Sequence, residues 1–403
     1  MLANEARRLL SAEGLRILDG IGPYGSGADV VRLSSSLRRE GHPPDLIAAV
    51  LTQARLREKA AAKFGPFAAR MLLTEAGLEQ ATRLSVAAIH AGRYRTAGVA
   101  HVADLGCGIG GDALALSAID IPVTAVERDE VTAAFAAYNL APFESAQVMH
   151  SSAEDHDLAG ADAAFLDPAR REAGHSSTTR LRPDDWSPSL DFAFLLSARL
   201  PVGVKLAPGM DRSLIPDDAE AQWVTVDGET VETLLWFGAL ARQGVRRSAL
   251  VLAGGRSTEL MADADGDDPE LAPLGRYVHE PAGAVIRARL IGTVAQRLQA
   301  GLLSPDIAYL TGPLPSPDAL ATSFEVGAVL PLDERTLARE LKNREIGVLE
   351  IKKRGVDIDP AQLRRKLGLR GRRAATLILT RLEGKRVAIL TERVAPAAEG
   401  AQE

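Results

Sequence analysis

The spacing of apolar residues changes along the chain. Up to residue 95, apolar positions recur at helical spacing, as in residues 46–62, which follow Pro43 and Pro44, and in residues 75–94. From residue 96 to 255, short apolar runs alternate with Ala- and Leu-rich stretches. This change predicts a helical N-terminal domain followed by an α/β domain whose sheet is mainly parallel.

The strands of the α/β domain are predicted from short apolar runs. They lie at 99–103, 121–126, 147–150, 161–166, 202–206 and 248–252. A hairpin is expected over 223–232, where Asp227 and Gly228 supply a two-residue turn. With the intervening helices, these runs predict a Rossmann-like sheet.

Beyond residue 255 the spacing of apolar residues becomes irregular, and from residue 321 onward it is regular again. Residues 256–320 are predicted to connect two domains, with a mobile acidic loop over 261–270 and a helix over 284–299. The next stretch predicts a strand, a helix, a strand, a helix and two strands, at 323–329, 333–343, 348–353, 359–367, 374–380 and 386–390. We therefore divide the chain into a helical domain (1–95), a sheet domain (96–255), a connecting segment (256–320) and a small α/β module (321–392).

Residues 104–112, Asp-Leu-Gly-Cys-Gly-Ile-Gly-Gly-Asp, lie between a predicted strand and a predicted helix. Because glycine lacks a Cβ, such a turn can bring its backbone close to a ligand, and the start of the helix offers unpaired N–H groups. The glycines also fit the dinucleotide pattern G-x-G-x-x-G, which alone is a weak signal. A cofactor that carries a nucleoside is expected here, unless the stretch is only a tight turn.

Asp104 distinguishes between the candidate cofactors. It lies two residues before the first glycine, where a carboxylate would repel a pyrophosphate and attract the sulfonium and ammonium groups of S-adenosylmethionine. We predict that Asp104, Gly106, Gly108 and Gly110 hold the methionine end of that cofactor. Asp112 either caps the following helix or reaches the cofactor amine through water, and the sequence does not separate these roles.

Polar residues also follow the later predicted strands, at the ends where open α/β sheets bind their ligands. Glu127 is predicted to accept hydrogen bonds from both ribose hydroxyls, a role that it would equally have with NAD. Ser152 and Ala153 are predicted to lie at the edge of the adenine. The tetrapeptide Asp167-Pro168-Ala169-Arg170 follows the fourth strand.

With these elements in place, residues 99–255 resemble the class I S-adenosylmethionine-dependent methyltransferases. Residues 167–170 are similar to the Asp/Asn/Ser-Pro-Pro-aromatic motif of amino-group methyltransferases, and residues 71–75 resemble those of trimethylguanosine synthase-type RNA enzymes. Residues 167–171, 204–209 and 351–355 resemble a bacterial methyltransferase family with a THUMP-like C-terminal domain. That last resemblance covers nearly the whole chain and implies a methyltransferase with a THUMP-like module.

Asp167 and Pro168 are the predicted catalytic centre. A base amine that donates to the Asp167 carboxylate and the Pro168 carbonyl would direct its lone pair towards the methyl group, and proline holds that carbonyl in place by fixing φ. Ala169 and Arg170 replace the second proline and the aromatic residue of the motif. Arg170 is expected either to stack on a base or grip a phosphate, or to pair with an acidic neighbour.

Composition narrows the classes of function. The chain has 403 residues, of which 46% are hydrophobic and 25% charged, as in an ordinary globular protein. No apolar run approaches the ~18 residues that span a bilayer, and we expect no signal peptide. Cys107 is the only cysteine, so an internal disulfide is excluded and the cysteine content fits the cytoplasm. Because there is no other cysteine, the chain does not suit the catalytic-thiolate chemistry of pyrimidine C5 methylation. The seven histidines show no metal-ligand spacing, so no metal is predicted.

Charge is distributed unevenly along the chain. Net charge is −6, yet the stretch from Glu334 to Arg386 holds sixteen Lys or Arg and seven Asp or Glu, a net charge of +9. This basic module suggests contact with RNA, although a solvated charged surface would look the same. The candidate RNA contacts are Lys205, Lys352, Lys353, Arg354 and Arg365. Lys205 is otherwise expected to be a solvated lysine.

The sequence therefore predicts an S-adenosylmethionine-dependent methyltransferase that acts on a base amine of structured RNA. Two alternatives stay open, namely a non-catalytic protein that binds cofactor and RNA, and a methyltransferase for a protein or a small molecule. The sequence indicates neither the target atom nor the oligomeric state.

Overall fold

A computed structural model describes residues 3–22, 27–158, 160–170 and 186–395. The chain forms two compact units, one of Met1–Lys205 with Trp236–Ala241 and the other of Leu206–Leu235 with Arg242–Glu403. The division into four domains stays a prediction.

The first unit begins with helices. They are α1 (Ala3–Leu9), α2 (Ala12–Asp19), α3 (Gly27–Arg39), α4 (Pro44–Phe64), α5 (Glu75–Gln80) and α6 (Leu84–Thr96), with a 3-10 helix at Gly65–Arg70 between α4 and α5. Pro44 lies in the first turn of α4, where its missing N–H costs nothing. Leu46 and Val50 of α4 pack against Leu9, Leu18 and Phe135. Among the described residues, no helix is both long and apolar enough to cross a bilayer.

The single helix predicted over 75–94 is wrong. The structure ends α5 at Gln80 and begins α6 at Leu84. Ala81 is extended, with ψ of 139°, and Thr82 donates a hydrogen bond from its hydroxyl to Asp112. The helical spacing of apolar residues continues across this break, so the tertiary contact of Thr82 outweighs the local pattern.

The parallel sheet expected in the first unit is confirmed. Its strands are β1 (Val102–Leu105), β2 (Val123–Glu127), β3 (Ala146–His150), β4 (Ala163–Leu166) and β7 (Val202–Leu206), while β5 (Ala169–Arg170) and β6 (Trp186–Ser187) form a short antiparallel pair. The intervening helices are α7 (Gly111–Ser117), α8 (Glu130–Leu140) and α9 (Leu190–Ser197). The parallel strands lie in the order β7–β4–β1–β2–β3, so the strand order reverses between β1 and β4. Ligands of such sheets bind at that reversal, beyond the carboxyl ends of the strands.

The second unit is richer in antiparallel strands. Its strands are β8 (Glu220–Val226), β9 (Glu229–Trp236), β10 (Arg247–Ala253), β11 (Arg256–Ala262), β12 (Tyr277–Pro281), β13 (Gly301–Ser304), β14 (Ile307–Gly312), β15 (Ala321–Pro331), β16 (Ile346–Lys353), β17 (Arg373–Leu382) and β18 (Lys385–Arg393), of which β8 with β10 and β16 with β17 pair in parallel. The helices are α10 (Gly283–Arg287), α11 (Ile291–Leu298), α12 (Glu334–Asn343) and α13 (Pro360–Leu367), with a short 3-10 turn at Arg212–Leu214, while the 3-10 turn at Gly238–Leu240 belongs to the first unit. The predicted hairpin is confirmed, since Asp227 and Gly228 form its turn with positive φ.

The expectations for residues 256–320 are wrong in two respects. The segment holds the strands β11 to β14 rather than an irregular connection. The helix predicted over 284–299 is divided, because Arg289 has a left-handed φ of 61° between α10 and α11. Within the predicted acidic loop, the Asp265 carboxylate pairs with Arg212 and Arg247 at 2.6 Å, and the mobility of the loop stays a prediction.

The helices and strands predicted for residues 321–392 are confirmed. The larger sheet of the second unit has the order β13–β14–β12–β15–β18–β17–β16. The helices α12 and α13 pack leucines on its strands and form a core with Leu337, Leu341, Leu363, Leu367, Leu377 and Leu390. Asp359 accepts hydrogen bonds from the N–H groups of Ala361 and Gln362 and so fixes the start of α13.

A substitution at Gly203 tests how closely side chains pack against the sheet of the first unit. A Cβ at Gly203 would lie 2.6 Å from both the Trp236 ring and the Tyr94 hydroxyl, and that hydroxyl is itself bonded to the Ala164 carbonyl at 2.7 Å. We expect Gly203→Ala to lower the free energy of unfolding by about 1–3 kcal/mol through overpacking. Urea denaturation measures this.

Gly92→Ala is the matched control. Gly92 lies within α6, and an added Cβ there meets nothing within 4 Å. Because alanine favours a helix more than glycine does, this control should stabilise the protein by about 0.5–1 kcal/mol. Equal effects of both substitutions would contradict the packing described for Gly203.

Candidate functional site

The glycine turn begins where β1 ends. Gly106, Gly108 and Gly110 have φ values of 89°, 56° and 85°, a region that side chains with a Cβ rarely adopt. The N–H groups of Gly106 and Cys107 both donate to the Val126 carbonyl, at 2.9 and 3.0 Å, which fixes the turn on the end of β2. A Cβ on Gly108 would meet nothing within 4 Å. The turn therefore has an open side where a ligand can approach its backbone.

Asp104 lies in β1 beneath this turn and is only 1% exposed. Among the described residues, neither of its carboxylate oxygens has a hydrogen-bond partner. Burial raises the pKa of Asp104 well above its ordinary value, and the negative charges of Asp112 and Asp167 raise it further, while the Lys205 charge and the nearby Ala113 N–H, which lies outside ordinary hydrogen-bond geometry, oppose them. A buried carboxylate without a donor is costly, so it suits a ligand that brings positive charge.

Glu127 ends β2 with its carboxylate held by backbone. Its Oε2 accepts a hydrogen bond from the Gly108 N–H at 3.1 Å, and its Oε1 accepts one from the Asp129 N–H at 2.9 Å. Each oxygen of an ionised carboxylate keeps another lone pair, so both oxygens can still accept from hydroxyl groups. This geometry suits the ribose contact that the sequence predicts.

Ser152 and Ala153 follow β3, the strand beside β2. The N–H of Ser151 donates to the Glu127 carbonyl at 3.1 Å, which brings this segment alongside Glu127. Ala153 is buried, and the Ser152 hydroxyl donates to Asp155 at 2.7 Å. The structure thus groups the predicted ribose and adenine residues at neighbouring strand ends.

Asp112 lies in the first turn of α7, and its carboxylate is turned into the protein. One oxygen accepts from the Thr82 hydroxyl at 2.8 Å, and the other lies 2.8 Å from His90 Nδ1. Burial alone would raise the pKa of Asp112, but the hydrogen bond and charge of His90, the Lys205 charge and the Thr82 hydroxyl together hold it below its ordinary value. Its partners are therefore Thr82 and His90, and no side-chain cap of the helix is formed.

Asp167 and Pro168 come directly after β4, beside the glycine turn. A Cβ on Gly106 would lie 3.6 Å from the Asp167 carbonyl oxygen, so the two segments are in close contact. Pro168 is buried. The Asp167 side chain is 32% exposed, and its Oδ2 lies 2.5 Å from Lys205 Nζ. The backbone of Arg170 pairs with Trp186, whereas its side chain lies outside the described part of the structure.

Lys205 differs from both expectations that the sequence raised for it. It is 8% exposed and therefore not a solvated lysine, and its ammonium points to Asp167 instead of outward to a phosphate. The reason is its position in β7, whose residues are all buried. A lysine at such a position is stable only where acceptors meet its ammonium.

Two buried amides, which sequence reasoning missed, hold the segment that precedes the glycine motif. Asn139 bonds both the N–H and the carbonyl of Leu72, at 2.7 and 3.0 Å, and also donates to the Ile109 carbonyl at 2.9 Å. Gln53 bonds both backbone groups of Leu73, at 2.7 and 2.9 Å. Because these amides lie within helical stretches of ordinary pattern, no local signal marks them, nor does one mark Thr82 or His90.

The basic residues of the second unit fall into two groups. Lys352 Nζ lies 2.6 Å from Glu280, and an Arg354 nitrogen lies 3.6 Å from the same carboxylate, so both cations are paired within the unit. Lys353 and Arg365 are exposed, and both act on the charge of Asp359. Neither forms an ion pair with any described residue. Of the predicted RNA contacts, these two have the most accessible charge.

The residues around the turn fit S-adenosylmethionine better than a diphosphate cofactor. The unsatisfied Asp104 carboxylate calls for positive charge, Glu127 keeps acceptors for hydroxyl groups, and Gly108 leaves room for a ligand. A diphosphate would add negative charge beside buried carboxylates. Within the described ranges, no group of three or more His, Cys, Asp or Glu side chains is placed to hold a metal ion.

A parallel sheet with a glycine turn after β1, a carboxylate after β2 and an Asp-Pro pair after β4 defines a class I methyltransferase site. Comparison with known proteins agrees with this assignment. The chain is 34% identical over 335 residues to an uncharacterized S-adenosylmethionine-dependent methyltransferase that is present in two strains of Mycobacterium tuberculosis, CDC 1551 and H37Rv, and the match covers 81% of this chain and 90% of that protein. The chain belongs to the S-adenosylmethionine-dependent methyltransferases and is an enzyme that uses this cofactor.

Further comparisons concern the fold and the terminal regions. The crystal structure of a methyltransferase candidate from Porphyromonas gingivalis W83 shares the fold, with a TM-score of 0.68 and 20% identity over 92% of this chain and 100% of that chain. Residues 321–393 match the THUMP domain-like family, and residues 3–60 match a domain of unknown function. The predicted THUMP-like module is thereby confirmed.

The unsatisfied Asp104 carboxylate gives a testable trade-off between stability and cofactor binding. A carboxyl group whose pKa is raised on folding destabilises the folded state at pH values above its ordinary pKa, so Asp104→Asn should raise the Tm of ligand-free protein more at pH 8 than at pH 5. The same change removes the negative charge that suits the cofactor. Affinity for S-adenosylmethionine should therefore fall at least about tenfold, the size of a lost charge-assisted hydrogen bond.

Thermal unfolding and calorimetric titration with S-adenosylmethionine measure the two effects. Asp120→Asn is the control, since Asp120 is exposed at the turn after α7. It should change neither quantity. A Tm of Asp104→Asn that falls, or cofactor affinity that stays unchanged, would contradict the role given to Asp104.

Proposed function

We propose that this enzyme transfers a methyl group from S-adenosylmethionine to an exocyclic amine of a base in structured RNA. The observation that supports the proposal is the closeness of Asp167 to Gly106, since the Asp-Pro pair lies beside the glycine turn that we propose binds the cofactor. An enzyme that acts on cellular RNA would work in the cytoplasm.

Asp167 and Pro168 supply the acceptors that such an amine needs. The Asp167 carboxylate, one-third exposed, accepts one N–H, and the Pro168 carbonyl accepts the other. These bonds hold the nitrogen lone pair in one direction and localise it, which is the main task in a displacement at a methyl carbon. When bound, S-adenosylmethionine supplies the electrophilic methyl group. The nitrogen loses a proton as it gains the methyl group, and the Asp167 carboxylate is the nearest proposed acceptor.

The cofactor residues have separate proposed tasks. Asp104 and the turn of Gly106, Gly108 and Gly110 hold the charged methionine end. Glu127 accepts from the ribose hydroxyls, and Ser152 and Ala153 lie at the edge of the adenine. Asp112 acts through Thr82 and His90 on the shape of this pocket, because its oxygens are already bonded. For Arg170 we propose the contact with a base or a phosphate that the sequence suggests.

RNA is favoured as substrate by the charge of the THUMP-like module. The stretch from Glu334 to Arg386 has a net charge of +9, and Lys353 and Arg365 expose theirs. No aromatic residue lies in 325–403, so binding would depend on the phosphate backbone and the shape of the RNA rather than on stacked bases.

The test uses total RNA from a strain that lacks the gene. Purified enzyme with methyl-labelled S-adenosylmethionine should label this RNA and leave wild-type RNA, which is already methylated, almost unlabelled. Asp167→Asn should lower the labelling rate at least about a hundredfold, since positioning and proton acceptance are both lost. Asp191→Asn, an exposed residue of α9, should retain the full rate.

The two rival functions give different outcomes. Label that enters protein or small molecules but not RNA would overturn the RNA assignment. Cofactor binding without label in any of these fractions would favour a protein that binds but does not catalyse.

The basic residues give a second prediction. The double variant Lys353→Gln with Arg365→Gln should weaken binding of a labelled 20-nucleotide RNA hairpin and reduce the slope of log Kd against log salt by about two, uniformly across sequences. Fluorescence anisotropy at several salt concentrations measures this.

The control double variant carries the same change in charge. Arg276→Gln with Arg373→Gln removes two cations that pair with Glu325 and Glu392. It should leave the salt slope close to that of the wild type. Equal loss in both double variants would show an effect of net charge alone and would contradict a defined contact surface.

A further inference from the structure

Lys205 occupies a position that a lysine rarely tolerates. Its side chain is 9% exposed, in a strand whose residues are all buried. Its ammonium donates to Thr82 Oγ1 at 3.0 Å and to the Gln80 carbonyl at 3.4 Å, and it lies 2.5 Å from Asp167 Oδ2. An ammonium has three donors, so these three acceptors fix its place.

The partners of Lys205 differ in how far other contacts hold them in place and in their exposure to solvent. Gln80 and Thr82 belong to the break between α5 and α6, and Thr82 is fixed in turn because its hydroxyl donates to Asp112 at 2.8 Å. Asp167 is 32% exposed on the side chain. Lys205 therefore joins a buried hydrogen-bonded network to Asp167, the described partner whose side chain is exposed enough to reach a substrate.

The titratable groups around Lys205 are mostly acidic. Those described come from several elements, namely Asp104 on β1, Asp112 on α7, His90 and Tyr94 on α6, and Asp167 after β4. Lys205 lowers the cost of ionisation for both Asp104 and Asp112, and it touches Asp167 directly. Without this cation, three carboxylates would share a poorly solvated space with His90.

We infer that Lys205 is a positioning residue for methyl transfer, one that keeps Asp167 ionised and aims its carboxylate at the substrate amine. The inference rests on the proposed function, because it assumes that Asp167 meets the amine. An ionised carboxylate only accepts hydrogen bonds, whereas a protonated one would present a donor to the N–H group. Lys205 thus also favours substrates that offer N–H over those that offer only acceptors.

The first test measures the protonation of Asp167 and needs no RNA. Protein with ¹³C-labelled aspartate carboxyl groups, bound to S-adenosylmethionine, is titrated by NMR, and the Asp167 signal is assigned by its loss in Asp167→Asn. In Lys205→Met, the midpoint of Asp167 protonation should move upward by about one pH unit or more, the effect of losing a cation within 4 Å. In Lys205→Arg, which keeps the charge, it should stay close to that of the wild type.

The second test follows the reaction. The acid limb of the pH profile for labelling of RNA from the deletion strain should lie at higher pH in Lys205→Met than in the wild type, by the same amount as the Asp167 midpoint moves, because Asp167 must be ionised to accept from the amine. Lys63→Met is the matched control, since Lys63 donates to the Leu78, Glu79 and Ala81 carbonyls of the same break at 2.7–2.8 Å. Any loss in that control should be independent of pH.

The outcomes separate this inference from the proposed function. An Asp167 midpoint that is the same in Lys205→Met and wild type overturns the inference, whatever the RNA result. RNA that accepts no label from the wild type overturns the proposed function, and the NMR result is unaffected. Should Lys205→Met fail to fold, adding Asp167→Asn should restore folding by removing the unpaired carboxylate, and a double variant that stays unfolded also overturns the inference.

Discussion

Buried negative charge is the constraint on which the first unit depends. Asp104 and Asp112 are nearly inaccessible to water, and Asp167 acts electrostatically on Asp104. Carboxylates in such surroundings are stable only when cations or donors meet them. Lys205 and His90 meet part of the charge, and Asp104 has no hydrogen-bond partner among the described residues. A cofactor with a sulfonium and an ammonium group supplies what the folded chain lacks, so the cost in stability is linked to function.

This constraint explains why the helical region and the sheet form one unit. Thr82 lies in the break between α5 and α6, and its hydroxyl joins the Lys205 ammonium to the Asp112 carboxylate. Asn139 and Gln53 hold the backbone of Leu72 and Leu73 by paired hydrogen bonds. The segment before the glycine motif is therefore part of the site's framework, and its geometry depends on contacts with the sheet.

What the sequence could predict follows from the range of the interactions involved. The parallel strands, the glycine turn and the helices of the THUMP-like module depend on local patterns and turn residues, so they were predictable. The break at Thr82 depends on a carboxylate thirty residues further along the chain, and the spacing of apolar residues carries no trace of it. The strand β11 has mostly exposed or half-buried residues, so it lacked the apolar run that identifies a strand. Lys205 looked like a solvated lysine because its acceptors come from distant segments.

The same carboxylates bear on how an RNA could be bound. Residues 1–333 carry a net charge of −13, and the carboxylates that suit a cationic cofactor repel phosphate. Under the proposed function, attraction for RNA would come from another part of the chain, and the stretch with net charge +9 is its proposed source. Within that stretch, Lys352 and Arg354 are held by Glu280 and so stabilise their own sheet, which leaves exposed cations such as Lys353 and Arg365 for phosphate. Under the proposed function, this separation of charge along the chain would let one enzyme bind both a cationic cofactor and RNA.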